Sequence, residues 1–311
     1  SNDAFRELEL HYRVLAGNQP PLDLSTHLFG GRVGLPFFCA PCAGAKMFHR
    51  DGEVAVATAS AERRMCYALS SFSTSPFDDV RAVHAGHGKV FQLYVWRDRG
   101  FLEDILVRAR TAGFETLVLT ADLSWYGNRE GEKRAGFTVP PSYTLQQLVG
   151  AVRSPAWTWD YLSSPPFTYA LINGSVPAET IATFVDSQIN PSFDWDDAAW
   201  LCKQWGGPVL LEGGGRPADA GRAIKTGFSG VWVSNHGGRQ LETAPAPIDV
   251  LPSIRGAVGP SVEIILDGGV RRGTDIAKAL ALGADGVAVG KAYLYGLAAG
   301  GLPGVRKAID I

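Results

Sequence analysis

The 311-residue chain is 46% hydrophobic and 19% charged, with 37 glycines, four cysteines and a formal net charge of −2. That apolar content supplies one large buried core and excludes disorder as the main state. The balance of 29 Lys+Arg against 31 Asp+Glu, with no basic run, excludes a surface built to neutralise nucleic-acid phosphates.

The opening SNDAFRELELHYRVLAGNQP is too polar for a signal peptide, and no apolar run approaches the roughly eighteen residues of a membrane span. The expectation is a cytoplasmic protein that forms a single domain over residues 1–311. The first strand candidate is LPFFCAP (35–41), which holds a CxxC at Cys39 and Cys42. A metal site would need a second ligand pair, so the four cysteines read as buried, reduced, structural thiols and no metal is expected.

Further strand candidates follow at MCYALSS (65–71), KVFQLYV (89–95) and TLVLTAD (116–122), then at PVLLEG (208–213), GVWVSN (230–235), EIILDGG (263–269) and GVAVG (286–290). Each is apolar almost continuously, as parallel strands buried on both faces require. Between them lie helical patterns. In RGFLEDILVRARTAG, Phe101, Ile105, Ala109 and Ala112 share one face, arginines occupy the last turn and Gly113 closes the helix. TDIAKALALG repeats that design up to Gly283. Eight such alternations indicate an α/β fold, a (β/α)8 TIM barrel, which typically needs about 250 residues, with an open doubly wound sheet as the rival. The barrel is preferred because polar residues or glycine end nearly every strand, among them Gln92, Tyr94, Thr120, Asp122, Glu212, Ser234, Asp267 and Gly290, and a barrel gathers those ends at one mouth.

One connection breaks the rhythm. From Leu123 to about Ser192 no helix is read before WDDAAWLCKQWG, and a connection that long is usually functional. It carries Trp125, Tyr126, Trp157, Trp159, Tyr161, Phe167 and Tyr169. An aromatic lid over residues 123–192 is the favoured reading, with a self-packed excursion and a membrane-touching patch as alternatives. The scarcity of basic residues after Arg134 argues against contact with anionic lipid.

Three motifs carry chemistry. SNHGGRQ, after the sixth strand, offers His236 as proton acceptor and Arg239 as a guanidinium fork for a carboxylate. On its own, His236 reads equally well as a structural histidine. After the fourth strand, Asp122 can orient an imidazole and Arg129 can meet an anion. After the seventh and eighth strands, Gly268, Gly269, Arg271, Arg272 and Lys291 surround helix starts. Close backbone N–H groups, a helix N-terminus and cations make a phosphate site, and barrels often place one there; a mere glycine turn is the alternative.

Taken together, SNHGGRQ, DGGVRRGTDIAKALALGADGVAVG, APCA, SSFSTS, FQLYV and TADLSWYGNRE resemble the FMN-dependent 2-hydroxy-acid oxidase and dehydrogenase family, which includes glycolate oxidase, lactate oxidase and mandelate dehydrogenase. The resemblance runs from Asn2 to the last residues, and PPSYTLQQLVGAVRSPAWTWDYL is most similar to the mandelate dehydrogenase and hydroxymandelate oxidase branch. It implies that His236 is the active-site base, paired with Asp122, that Arg239 and Arg129 hold the substrate carboxylate, and that Tyr94 hydrogen-bonds the substrate. For FMN it implies backbone from Ala40, Pro41, Cys42 and Ala43 beside the ring, with Ser70, Gln92, Thr120 and Ser234 as polar contacts. Asp267 would meet the ribityl chain, and Gly268, Gly269, Arg271, Gly290 and Lys291 the phosphate.

There are departures. Phe72 stands where many members have Trp or another residue that shapes the substrate pocket, and Lys291 replaces the usual Arg. Glu212 stands where the family has a lysine beside the flavin pyrimidine edge. Both ends of the chain look shortened. The implied activity is FMN-dependent oxidation of an (S)-2-hydroxy acid with an aromatic, mandelate-like substituent to the 2-oxo acid. Oxygen or another acceptor would reoxidise the flavin, and a homo-oligomer such as a tetramer is expected. The rivals are a flavin-binding relative whose activity is lost or altered through Glu212, and a phosphate-binding barrel without flavin.

Overall fold

The computed structural model describes residues 1–17, 22–123, 127–134, 136, 145–166, 168–172 and 188–311. A short helix α1 (Asn2–Arg6) precedes a hairpin of β1 (Thr26–Leu28) and β2 (Gly31–Val33), which the sequence reading did not anticipate. Eight parallel strands then close into a barrel: β3 (Phe37–Cys39), β4 (Tyr67–Ser70), β5 (Lys89–Tyr94), β6 (Thr116–Thr120), β7 (Val209–Glu212), β8 (Gly230–Val233), β9 (Glu263–Leu266) and β10 (Gly286–Val289). Each lies within one of the eight candidate segments.

The helices wrapping the barrel are α2 (Gly52–Glu62), α3 (Phe77–Val83), α4 (Arg99–Thr111), α8 (Trp195–Trp205), α9 (Pro217–Thr226), α10 (Pro247–Val258), α11 (Gly273–Ala281) and α12 (Lys291–Asp310). Among the described residues no helix is long and apolar enough to cross a membrane.

The unbroken apolar character of the strands has a two-sided cause. Cys39, Leu69, Phe91, Leu117, Leu211, Val231, Ile264 and Val287 face outward into the layer of helices. Their neighbours Phe38, Ala68, Val90, Val118, Leu210, Trp232, Ile265 and Ala288 face inward and fill the barrel. The hairpin plugs the lower end, where Phe29 meets Phe38 edge-on at 5.5 Å and Phe38 meets Trp232 at 5.4 Å. Phe29 and Gly30 both have positive φ, 54° and 81°, as a tight hairpin turn demands.

The segment from 123 to 192 is not free of helix, as the sequence reading had it. It contains α5 (Glu130–Arg134), α6 (Leu145–Arg153) and α7 (Pro155–Ser163). The prolines, serines and aromatic residues there obscure the helical period. Asp160 on α7 accepts from the Arg50 backbone at 2.9 Å, and Ala170 N–H donates to Ser73 O at 2.9 Å, so the excursion is pinned beside the barrel mouth. Leu171 and Ile172 are buried in the core. Trp125, Tyr126 and Phe167 lie outside the described residues.

Candidate active site

Side chains two apart on a strand share a face. One step beyond the inward apolar ring therefore lies a second inward ring: Ala40, Ser70, Gln92, Thr120, Glu212, Ser234, Asp267 and Gly290. This layer contains most of the polar residues that ended the strand candidates, with Tyr94 and Asp122 two residues beyond Gln92 and Thr120. Its members Ala40, Glu212, Asp267 and Gly290 floor a cavity of about 1170 Å³ at the C-terminal end of the barrel.

The wall of that cavity includes Ala40, Pro41, Cys42, Ala43, Phe72, Tyr94, Arg129, Glu212, His236, Arg239, Asp267, Gly268, Gly269, Arg271, Gly290 and Lys291. The other expected residues stand behind it. Asp122 backs His236, with Oδ1 and Nδ1 3.4 Å apart. Ser70, Gln92 and Thr120 are buried beneath the floor, and Ser234 Oγ accepts the His236 N–H at 2.9 Å. The four cysteines are free, but only Cys39 and Cys66 are buried; Cys42 and Cys202 are half-buried, contrary to the expectation of uniformly buried thiols.

His236 is held in the left-handed region at φ 55°, followed by Gly237 and Gly238 at 66° and 74°. The Asn235 side chain accepts Gly238 N–H at 3.1 Å and fixes this turn. Burial lowers the His236 pKa, but the hydrogen-bonding and charge of Asp122, with the charges of Glu212 and Asp267, outweigh it and raise it above the ordinary value. Burial pushes Glu212 up to about 8 and raises Asp267 as well, against the pull of Ser234, His236 and Trp232.

The loop after β6 and the loop after β8 touch along Gly127, where a Cβ would lie 2.2 Å from Arg239 O. That approach brings Arg129 and Arg239 to one cavity, and Arg129 donates to Gln240 Oε1 at 3.3 Å. Gly127 is a residue that the sequence reading missed. So is Glu53 on α2, 1% exposed, whose carboxylate accepts from Ala45 N–H, Thr74 N–H, Thr74 Oγ1 and Ser75 Oγ at 2.7 to 3.1 Å. It ties together the loops that carry Ala43 and Phe72. An acid in a helical pattern gives no signal of such burial.

Opposite His236, Phe72 packs against Tyr94, Trp96 and Tyr169 with ring centroids 5.0, 5.7 and 5.6 Å apart. Tyr94 lies 6.4 Å from the His236 ring, and Trp157 also lines the cavity. Across the mouth, Gly268 and Gly269 have φ of 87° and 94°, accessible to glycine without strain. Asp275 accepts the N–H groups of Arg271 and Arg272 at 2.9 and 3.0 Å. An anion here therefore relies on the Arg271 and Lys291 side chains and on the N–H groups of the first turn of α12, which no helical carbonyl can accept.

The FMN-dependent dehydrogenase family description matches residues 1–311. The chain is 39% identical to an L-lactate dehydrogenase of Caulobacter vibrioides, over 99% of this chain and 81% of that protein. It is 37% identical to a putative L-lactate dehydrogenase of Mycobacterium tuberculosis, over 100% of this chain and 74% of the relative. Among solved structures it is similar to the monotopic membrane protein (S)-mandelate dehydrogenase, with TM-score 0.92, 32% identity and coverage of 99% and 82%. A Pediococcus acidilactici (putative) lactate oxidase superposes with TM-score 0.81, 32% identity and coverage of 99% and 77%.

Proposed function

The chain belongs to the FMN-dependent dehydrogenase family and is an FMN-dependent oxidoreductase of 2-hydroxy acids, and we propose that its own substrate is an (S)-2-hydroxy acid with an aromatic substituent. The observation that carries this reading is one cavity holding His236 beside Asp122, two guanidinium groups and an aromatic wall.

The residues present fit FMN. Arg271, Lys291 and the start of α12 supply donors for a phosphate, and the floor supplies polar groups for a ring and a hydroxylated chain. Asp267 fits the latter role: Trp232 Nε1 donates to its Oδ2 at 3.1 Å, while its buried Oδ1 has no hydrogen-bond partner among the described residues. When bound, FMN supplies acceptance of the electron pair released as the hydroxyl carbon becomes a carbonyl.

The chain's own residues do the rest. Arg129 and Arg239 hold the substrate carboxylate by charge-assisted hydrogen bonds, which a guanidinium can make in pairs. That places the hydroxyl end toward His236, whose imidazole takes up the substrate proton. Asp122 stabilises the imidazolium so formed; at about 4 Å and an effective dielectric near 20, one such charge pair is worth about 4 kcal/mol. Tyr94 donates a hydrogen bond to the substrate oxygen. Phe72, Tyr169 and Trp157 keep water from the reacting end and receive the aromatic substituent, whose burial contributes a few kcal/mol, enough for roughly tenfold preference or more.

The test is an anaerobic series of 2-hydroxy acids added to the yellow protein, with flavin bleaching followed in time. Mandelate and hydroxymandelate should bleach it at least about tenfold faster than lactate or glycolate. Faster bleaching by lactate, the substrate in the names of the sequence relatives, would remove the aromatic preference and leave the hydroxy-acid oxidation standing.

A further inference from the structure

A continuous hydrogen-bond chain runs beneath the cavity floor across four adjacent strands. Ser70 Oγ donates to Gln92 Oε1 at 2.9 Å, Gln92 Nε2 donates to Thr120 Oγ1 at 2.6 Å, and Thr120 Oγ1 donates to Glu212 Oε2. Register makes it possible. Ser70 pairs with Gln92 and Thr120 with Glu212, while Gln92 pairs with Val118, on the same face as Thr120. Because Thr120 Oγ1 receives the Gln92 amide proton, its own proton goes to Glu212, so Oε2 is the terminal acceptor. Any proton that Glu212 carries then sits on Oε1.

The surroundings require such a proton. Glu212 is 3% exposed, and the group that meets its Oε2 is a hydroxyl, not a cation. Two more carboxyl groups, Asp122 and Asp267, act on it from the ends of β6 and β9, and the imidazole that acts on it, His236, lies against Asp122. An unpaired buried anion costs several kcal/mol, and a carboxyl in that position takes up a proton instead. Carboxylic acids in apolar sites do serve as neutral donors at pH 7.

We propose that Glu212 serves bound FMN as a neutral acid, donating a hydrogen bond from Oε1 into the cavity while Oε2 anchors the Ser70–Gln92–Thr120 chain. This rests on the reading that FMN occupies this cavity. Above the pH at which Glu212 ionises, the donor becomes an anion lining the cavity and FMN is held less tightly. The drop occurs as pH rises, because only the protonated form favours the bound state.

The test uses holoenzyme diluted at equilibrium between pH 7 and pH 9, with released FMN read by its fluorescence, for the wild type and Glu212→Gln. Asp267, His236, Cys42, Tyr94, Arg239 and Lys291 line the same cavity in both proteins, with Asp122 behind His236, so the ratio of the two profiles isolates Glu212. With Glu212 held up to about 8, wild-type affinity should weaken about tenfold more than that of the variant between these limits. Superimposable profiles overturn the proposal. In infrared spectra, wild-type holoenzyme should show a protonated-carboxyl C=O band at pH 7 that persists to higher pH than in the FMN-free protein, because a ligand that favours the protonated form raises its pKa. Absence of that band also overturns the proposal, whether or not Glu212→Gln folds. A wild-type protein that binds no FMN at either pH would fail differently, by removing the cofactor reading itself.

Discussion

At His236 the chain accepts a backbone conformation that costs a non-glycine residue free energy, and the two glycines after it let the turn close. The return is an imidazole set against Asp122 at the edge of the cavity. Replacing His236 by Gln should lower kcat by roughly 10²-fold or more while FMN content, read from the visible spectrum, stays at the wild-type level. The base must be neutral to accept a proton, and its pKa lies above the ordinary histidine value. Accordingly, kcat/KM should rise with pH through that raised value. Asp122→Asn removes the stabilising anion, so the same limb should move to lower pH by about one unit or more, with a reduced plateau. A pH profile whose limb stays in place would show that Asp122 does not govern this base.

At the scale of elements, the site depends on contacts between loops far apart in sequence. Glu53 accepts from residues 8, 21 and 22 positions away and so fixes the exits of β3 and β4 together. Glu53→Ala leaves several buried donors without an acceptor and should cost about 3 kcal/mol or more, visible as a lower urea midpoint at unchanged slope. Gly127 lets the β6 and β8 loops meet. Gly127→Ala should separate Arg129 from Arg239 and raise KM for the hydroxy acid roughly tenfold, a loss of about 1.4 kcal/mol, with a smaller change in kcat. Equal loss in both parameters would place the effect on chemistry rather than on carboxylate binding. The helices of the 123–192 excursion belong to this scale too. They are short, and α7 is held from outside by Arg50, so their own periodicity is a poor guide.

For the whole molecule, closure of the sheet is what brings eight strand ends to one mouth, where Arg271 and Lys291 line the same cavity as the His236 turn. Those two cations should decide cofactor retention. Arg271→Glu places a repelling charge by the phosphate and should weaken FMN binding roughly a hundredfold or more, leaving colourless but folded protein. Full flavin content in that variant would mean that the phosphate lies elsewhere.

The sequence by itself determined the barrel and the membership of its upper ring. Strands covered on both faces must be apolar throughout, so the first polar residue or glycine marks where each leaves the core; Gln92, Thr120, Glu212 and Asp267 were legible for that reason. The motifs around His236 and Gly269 were legible because their residues are close in the chain. The hairpin at 26–33 was not, since two strands of three residues carry too short a pattern to read. Only the tertiary structure decided that Gly127 lets two loops meet, that Glu53 is buried, that Phe72 meets Tyr169, and that Thr120 links Gln92 to Glu212. Each of these depends on distance across the closed barrel or its mouth. Strand register and loop packing set that distance, and neither leaves a local trace in the order of the residues.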